Sequence, residues 1–186
     1  MNLIVWGSLG GIGIVAIFIY NNLISSRNAV DNAFGSIDAM LKKRYDLIPN
    51  LVETVKAYMK HERETLSQII ALRAKAVSGT LSSEEKVDTE NQLQGMMRNL
   101  MVSVESYPDL KASDQFIMLQ RSWNEAEEQI SAARRAYNSA VTQYNNAIEK
   151  FPSNLIATAY NHERKHVLVT PDEERKNVNA KALFGN

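Results

Sequence analysis

Apolar residues fall along this chain in two patterns. One is a single uncharged run, Leu3–Tyr20. The other begins at Val30, after which apolar positions return every three or four residues, the spacing that gathers them on one face of an α-helix. The first stripe reads Val30, Phe34, Ile37, Leu41, Tyr45, Ile48, Val52, Val55, Met59, Leu66 and Ile69. Pro49 interrupts it. Proline removes one backbone donor and crowds the carbonyl four residues back, here that of Tyr45, so a kink is expected. The stripe keeps its phase across Pro49, which favours one kinked helix over two, ending near Ser78-Gly79. Ser82 and Glu85 form a capping box that opens a second helix, whose stripe is Leu93, Met97, Leu100, Val104 and Tyr107, stopped by Pro108.

The third helix has the most regular pattern. Phe116, Trp123, Ile130, Tyr137, Tyr144 and Phe151 recur every seven residues, while Leu119, Ala126, Ala133, Ala140 and Ala147 fill the other seam. A large seam facing a small one suits close, coiled-coil-like antiparallel packing, and Pro152 ends the helix. The tail holds a short helix-like stretch around Leu155–His166, then Pro171 and the charged run Asp172–Lys176. The fold class expected is all-α: an N-terminal transmembrane helix followed by a long antiparallel helical bundle of three long helices and a short C-terminal helical element. The domains expected are an anchor over 1–24, the bundle over 25–157 and a polar tail over 158–186.

The run Leu3–Tyr20 has eighteen residues, about 27 Å of helix and close to the thickness of a bilayer core. Trp6 and Tyr20 lie near its ends, where amphipathic rings favour the interface. Met1-Asn2 offers no basic region and Tyr20–Leu23 no small-x-small cleavage site, so the reading is an uncleaved anchor rather than a signal peptide. Arg27, Lys42, Lys43 and Arg44 follow the run and no basic side chain precedes it. The positive-inside rule then places the N-terminus outside and the bundle in the cytoplasm of a single-pass membrane protein. Gly7 and Gly11 are spaced for close approach of two membrane helices, so a homo-oligomer is an expectation.

Composition narrows the chemistry. Twenty-one basic and 21 acidic residues in a chain of 186 give no net charge, and hence no argument for nucleic acid. There is no cysteine, which excludes disulfides, thiolate chemistry and a lipid-modified cysteine. Nothing resembles a phosphate loop, a nucleophile elbow or a dinucleotide fingerprint, and no cofactor is expected. One sequence does suggest a metal: His162-Glu163-Arg164-Lys165-His166 reads H-E-x-x-H, which on a helix would turn two histidines to one side to hold zinc, with the glutamate as base. Asp172 stands near a third-ligand position. Against this, Val169 stands where the extended motif wants glycine, no long apolar helix precedes it, and a polar tail is a poor place for a dry site. His162 and His166 are therefore weak metal candidates. Arg44 and Glu62 occupy or border the first apolar stripe, and a charge there must be paired or reach solvent. The polar run Lys42, Lys43, Arg44, Tyr45, Asp46, Pro49 and Asn50 is the first candidate for a partner-binding surface.

Several of these segments carry a family resemblance. Tyr20-Asn21-Asn22-Leu23 with Arg27-Asn28, the stretch Leu41–Lys56, Tyr107–Ala112, Ala133-Arg-Arg-Ala-Tyr-Asn138 with Tyr144-Asn145, and Phe151-Pro-Ser-Asn154 together resemble the LemA family from Tyr20 to about Ala157. The resemblance implies an N-terminal membrane anchor, a long antiparallel helical bundle and a bacterial membrane protein. It brings no catalytic residues. Some relatives look like lipoproteins, which would put their bundle on the other side of the membrane. The chain departs from the family at Tyr160-Asn-His-Glu-Arg, where relatives tend to have a glycine-aromatic stretch. The reading is a non-enzymatic, membrane-anchored scaffold or interaction protein whose protein partners the sequence does not name. A zinc metallopeptidase and a membrane-tethered sensor or relay are the alternatives.

Overall fold

A computed structural model describes the backbone of residues 2–168 and, within them, the side chains at all but positions 2–5, 7–9, 12, 83 and 84. Six helices follow one another in this stretch: α1 (Asn2–Lys56), α2 (Arg63–Val77), α3 (Ser83–Val104), α4 (Pro108–Lys111), α5 (Asp114–Glu149) and α6 (Ser153–Ala159). No strand occurs among the described residues, so the all-α class holds. The chain divides into two compact units. Among the described residues, one joins those up to Phe34 with those from Arg134 to Leu168, and the other is Gly35–Ala133. The long helices α1 and α5 contribute to both.

The unit Gly35–Ala133 is built on the stripes. From α1 it buries Ile37, Leu41, Tyr45, Ile48, Val52 and Val55; from α2, Leu66 and Ile69; from α3, Leu93, Met97, Leu100 and Val104; from α5, Phe116, Trp123, Ala126 and Ile130. α2 and α3 pack on each other. The turn between them contains Gly79 at φ +69°, the left-handed conformation that glycine adopts without a Cβ penalty. The capping box forms as expected: Glu85 N–H donates to Ser82 Oγ at 3.3 Å and Ser82 N–H to Glu85 Oε2 at 3.0 Å. The Ser82 N–H and, at 2.8 Å, the Ser82 hydroxyl both donate to Glu85 Oε2 and hold its carboxyl below the usual value. The carboxylate half of the cap therefore weakens only as pH falls through that lowered value.

The first helix does not end where the stripe suggests. α1 stops at Lys56 and the chain turns through Ala57–Glu62 before α2 begins. This corner contains no glycine or proline. What fixes it is Met59, fully buried in the bend, while Tyr58 and Met59 both donate to Val55 O at 3.0 and 2.9 Å. The bundle therefore has a broken first helix and an added short α4, which begins at Pro108 and buries Leu110. α5 ends at Glu149, which leaves Phe151 outside it and 78% exposed. The seventh-residue seam thus runs out at Tyr144. Phe34, expected in the core, is 47% exposed and rests against Tyr137.

α1 runs through Pro49 as one helix. The carbonyl that proline leaves without a helical partner is that of Tyr45, and Arg73 of α2 takes it, Nε donating to Tyr45 O at 3.2 Å. The same guanidinium lies 3.6 Å from Asp46. Pro49 thus makes a backbone acceptor, and the acceptor docks α2.

In the other unit, Val30 of α1 packs with Val141 and Tyr144 of α5, flanked by Tyr137, Ala140 and Ile148. Phe34 meets Tyr137 one turn further along, so the two helices run antiparallel there. Tyr20, at the end of the apolar run, meets Tyr160 with ring centroids 4.8 Å apart. Among the described residues no helix is long and apolar enough to cross a membrane. Most side chains in the first half of Leu3–Tyr20 lie outside the described residues, as do Pro171 and Asp172–Lys176.

The Pro49 account predicts a coupled pair. Arg73→Ala should cost about 1–2 kcal/mol in wild type, the usual penalty for stranding a partly buried acceptor. In a Pro49→Ala background, where Tyr45 O regains its helical donor, the same change should cost well under half as much. Urea unfolding of the four proteins of the double-mutant cycle measures the difference.

Candidate functional site

The polar run Lys42–Asn50 does not lie on one surface. On α1 it turns Lys42, Lys43, Asp46 and Asn50 outward, leaves Pro49 half-buried and sends Arg44 and Tyr45 into the core. Arg44 is the most consequential. Its side chain is 2% exposed. Nη1 donates to Glu127 Oε1 of α5 at 2.9 Å, and Nη2 pairs with Glu90 Oε2 of α3. The guanidinium carbon lies 5.8 Å from the ring centroids of both Tyr45 and Trp123. The Tyr45 hydroxyl donates to the other oxygen of Glu90. One cation thus ties α1 to α3 and α5, with an aromatic face beside it.

The geometry follows from chemistry. A guanidinium stays charged at any working pH and offers donors in a planar fork. On an apolar stripe it needs carboxylates from the helices packed against that stripe. Glu90 and Glu127 keep more contact with solvent than Arg44 does, which lowers the cost of desolvating three charges. Arg44 Nε is buried without a hydrogen-bond partner, and so is the Thr89 hydroxyl. Around this centre Lys43 reaches Glu125 at 3.4 Å and Gln129 at 3.2 Å, and Lys86 of α3 reaches Asp38 at 3.3 Å. Asp38, Lys42, Tyr45, Asp46, Val77 and Lys86 line a groove of about 240 Å³ beside it. The arrangement brings α1, α3 and α5 into one register. Of the residues expected to form a surface over Lys42–Asn50, Arg44 and Tyr45 are buried, and Lys42, Lys43, Asp46 and Asn50 are its exposed members.

The H-E-x-x-H stretch is not on a helix. α6 ends at Ala159, and Glu163–Leu168 has no regular secondary structure. The segment lies along α5 instead. The His162 ring meets the Tyr144 hydroxyl, Nδ1 to O 3.0 Å, while the Tyr137 hydroxyl donates to the His166 carbonyl at 3.3 Å. Tyr137 and Tyr144 are two helical turns apart, about 10.5 Å. The two histidines are therefore spread along α5 rather than stacked on one helical face, and zinc requires donors within about 2.1 Å. Among the described residues no group of three His, Asp or Glu side chains could hold a metal ion; Asp172 lies outside them. Burial pushes the Tyr144 hydroxyl above its ordinary pKa, with Arg27 and Lys165 opposing and Asp31 and Glu163 assisting. It is thus a neutral hydrogen-bonding group here.

Asn145 and Asn138 complete this contact, which the apolar periodicity does not mark. Asn145 Nδ2 donates to Lys165 O at 2.8 Å, and Lys165 N–H donates to Asn145 Oδ1 at 3.0 Å. Asn138 does the same with Leu168, at 3.0 and 2.8 Å. Lys165 Nζ pairs with Asp31 of α1 and lies 5.9 Å from the Tyr144 ring centroid. The one available signal was the repeat Tyr137-Asn138 and Tyr144-Asn145.

These features define a class: an all-α helical bundle, braced by a buried arginine and closed along α5 by its own C-terminal segment. Comparison with known proteins gives the family. Residues 33–181 match the LemA family, and the chain belongs to it. Among similar proteins is Protein LemA of Metamycoplasma hominis, 28% identical over 170 residues that cover 89% of this chain and 78% of that one. The family match takes in Tyr160–Leu168, beyond the point near Ala157 where the resemblance stopped.

Removing Arg44 should be severe. Arg44→Ala leaves Glu90 and Glu127 facing an apolar stripe and should destabilise the protein by about 3–5 kcal/mol. Arg44→Met combined with Glu90→Leu and Glu127→Leu should recover most of that loss, because no charge is then stranded. Denaturant midpoints of the two variants check the ordering.

Proposed function

We propose that the protein is a single-pass, membrane-anchored, non-enzymatic interaction protein, with its bundle on the cytoplasmic side. The observation that carries this reading is the exposure of Trp6, Ile14, Val15, Ile17 and Phe18 on α1. An apolar sleeve of this kind is costly in water and favourable in hydrocarbon. Every backbone group there is bonded within a helix, as a lipid environment requires. The same helix continues through Lys56, so anchor and bundle share one element. A methyl group placed at Gly11 would meet, among the described residues, no atom within 4 Å beyond its own turn of helix. That open space at Gly11 supports self-association of anchors through the spacing of Gly7 and Gly11. Outward-facing Lys42, Lys43, Asp46 and Asn50 remain available to a partner at the membrane-facing side of the cell interior.

Two measurements test this. Ile14→Lys with Ile17→Lys, each lysine costing about 2.5–3.5 kcal/mol on insertion, should move the protein from the carbonate-resistant membrane fraction to the supernatant. Retention in the membrane would refute the anchor. In this cysteine-free chain, single cysteines at Asn2 and at exposed Lys60 report the side. Labelling of intact cells by an impermeant maleimide only at position 2 fits the proposal; labelling only at position 60 reverses the topology.

A further inference from the structure

We propose that the Tyr-Asn repeat of α5 is a binding site for an extended peptide of another polypeptide, and that residues 162–168 of this chain are its resident competitor. The partner's chemistry is defined: an extended backbone with a lysine or arginine facing Asp31. This goes beyond the membrane reading and stands whether or not the anchor inserts.

The two asparagines act as a ruler. Each offers its amide oxygen and its amide nitrogen to the N–H and C=O of a single residue, a pairing that fixes the orientation of the amide group. Asn138 and Asn145 are seven residues apart on a helix, about 10.5 Å. The residues they hold, Leu168 and Lys165, are three apart, about 10 Å of extended chain. A heptad on the helix therefore matches a three-residue step on the peptide. Numbering rises along the segment as it falls along α5, so the two run antiparallel. The tyrosine before each asparagine adds a contact, Tyr137 to the His166 carbonyl and Tyr144 to His162.

Such a clamp reads backbone, not sequence. None of the residues Tyr160–Leu168 is buried, and Glu163, Arg164, His166 and Val167 are exposed. Two side chains are also read by charge: Lys165 between Asp31 and the Tyr144 ring, and the exposed Arg164, 3.7 Å from Glu149 of α5. Beneath Lys165, Tyr144 and Asn145 are buried, and Tyr144 packs with Val30 and Val141. The face is thus preformed on rigid helices. Beyond the Tyr160 ring, which meets Tyr20, residues 162–168 are held by polar contacts with no buried apolar side chain, and segments of that kind open at low cost. A basic extended segment from another chain can make every contact that the resident one makes.

The test uses the full chain in detergent. Lys165→Pro with Leu168→Pro removes both clamped N–H groups and should free the segment without altering α5. A fluorescein-labelled peptide of residues 160–168 should then bind, by anisotropy, at least about tenfold more tightly than to wild type, whose tethered competitor acts at millimolar effective concentration. Adding Asn138→Ala and Asn145→Ala should abolish binding. The same peptide N-methylated at its Lys165 and Leu168 positions should not bind, whereas N-methylation at Val167 should leave binding within about twofold, because that amide lies between the two clamped ones. A second measurement needs no variant: excess peptide should speed hydrogen exchange of the Lys165 and Leu168 amides in wild type, and the doubly N-methylated peptide should not. Absence of binding to the freed variant, binding that survives loss of both asparagines, or equal effects of the two peptides on exchange would each overturn the proposal.

Discussion

The buried charge of Arg44 constrains the unit around it more than any other group does. Apolar stripes attract without direction, and helices packed only by stripes can slide by a turn at modest cost. A guanidinium cannot lose its proton to escape burial. It has to meet carboxylates, and the structure supplies one from α3 and one from α5. In the register observed, Glu90 and Glu127 reach the same side chain. The energetic effect of such a centre lies less in total stability than in uniqueness, since its Coulomb gain is offset by desolvation. The Tyr45 hydroxyl on Glu90 and the Trp123 face beside the cation extend the same restriction to the neighbouring aromatic groups.

α5 shows how one periodic pattern serves two ends. Phe116, Trp123 and Ile130 are buried as packing side chains in the unit Gly35–Ala133. The next two members of the seam, Tyr137 and Tyr144, belong to the other unit. There the residues that follow them, Asn138 and Asn145, hold a segment of chain. The repeat of seven continues across this change because it is set by helix geometry, whereas its chemistry is set by what lies against each stretch.

Much of the fold was legible in the sequence because stripes and caps are local. The buried residues of α1, α3 and α5, the Ser82–Glu85 box and the turn at Gly79 follow from side chains within a few positions of one another. The corner at Ala57–Glu62 does not, since it contains no breaker and is fixed by Met59 entering a core made by distant helices. The helix expected through His166 fails for a similar reason: its backbone groups find partners on Asn138 and Asn145, twenty or more residues away. At the candidate site, the pattern marked Arg44 as a charge on an apolar stripe that had to be paired or reach solvent, and it is paired. It did not name Glu90 or Glu127, because a carboxylate on a neighbouring helix leaves no mark at the position of the arginine. It also grouped Arg44 and Tyr45 with Lys42 and Lys43, since closeness in sequence conceals opposite directions on a helix.

The docking of Arg73 on Tyr45 O carries a consequence for how this fold tolerates change. The acceptor is a main-chain oxygen, present whatever residue stands at position 45. Drift in that side chain can disturb the contact to Glu90 and still leave α2 its mooring. Control lies four residues away, where the ring of Pro49 withholds an N–H. Two neighbouring requirements, the joining of α1 to α3 and the joining of α1 to α2, are thereby written in separate alphabets, one of side chains and one of backbone, and an error in the first need not spread to the second.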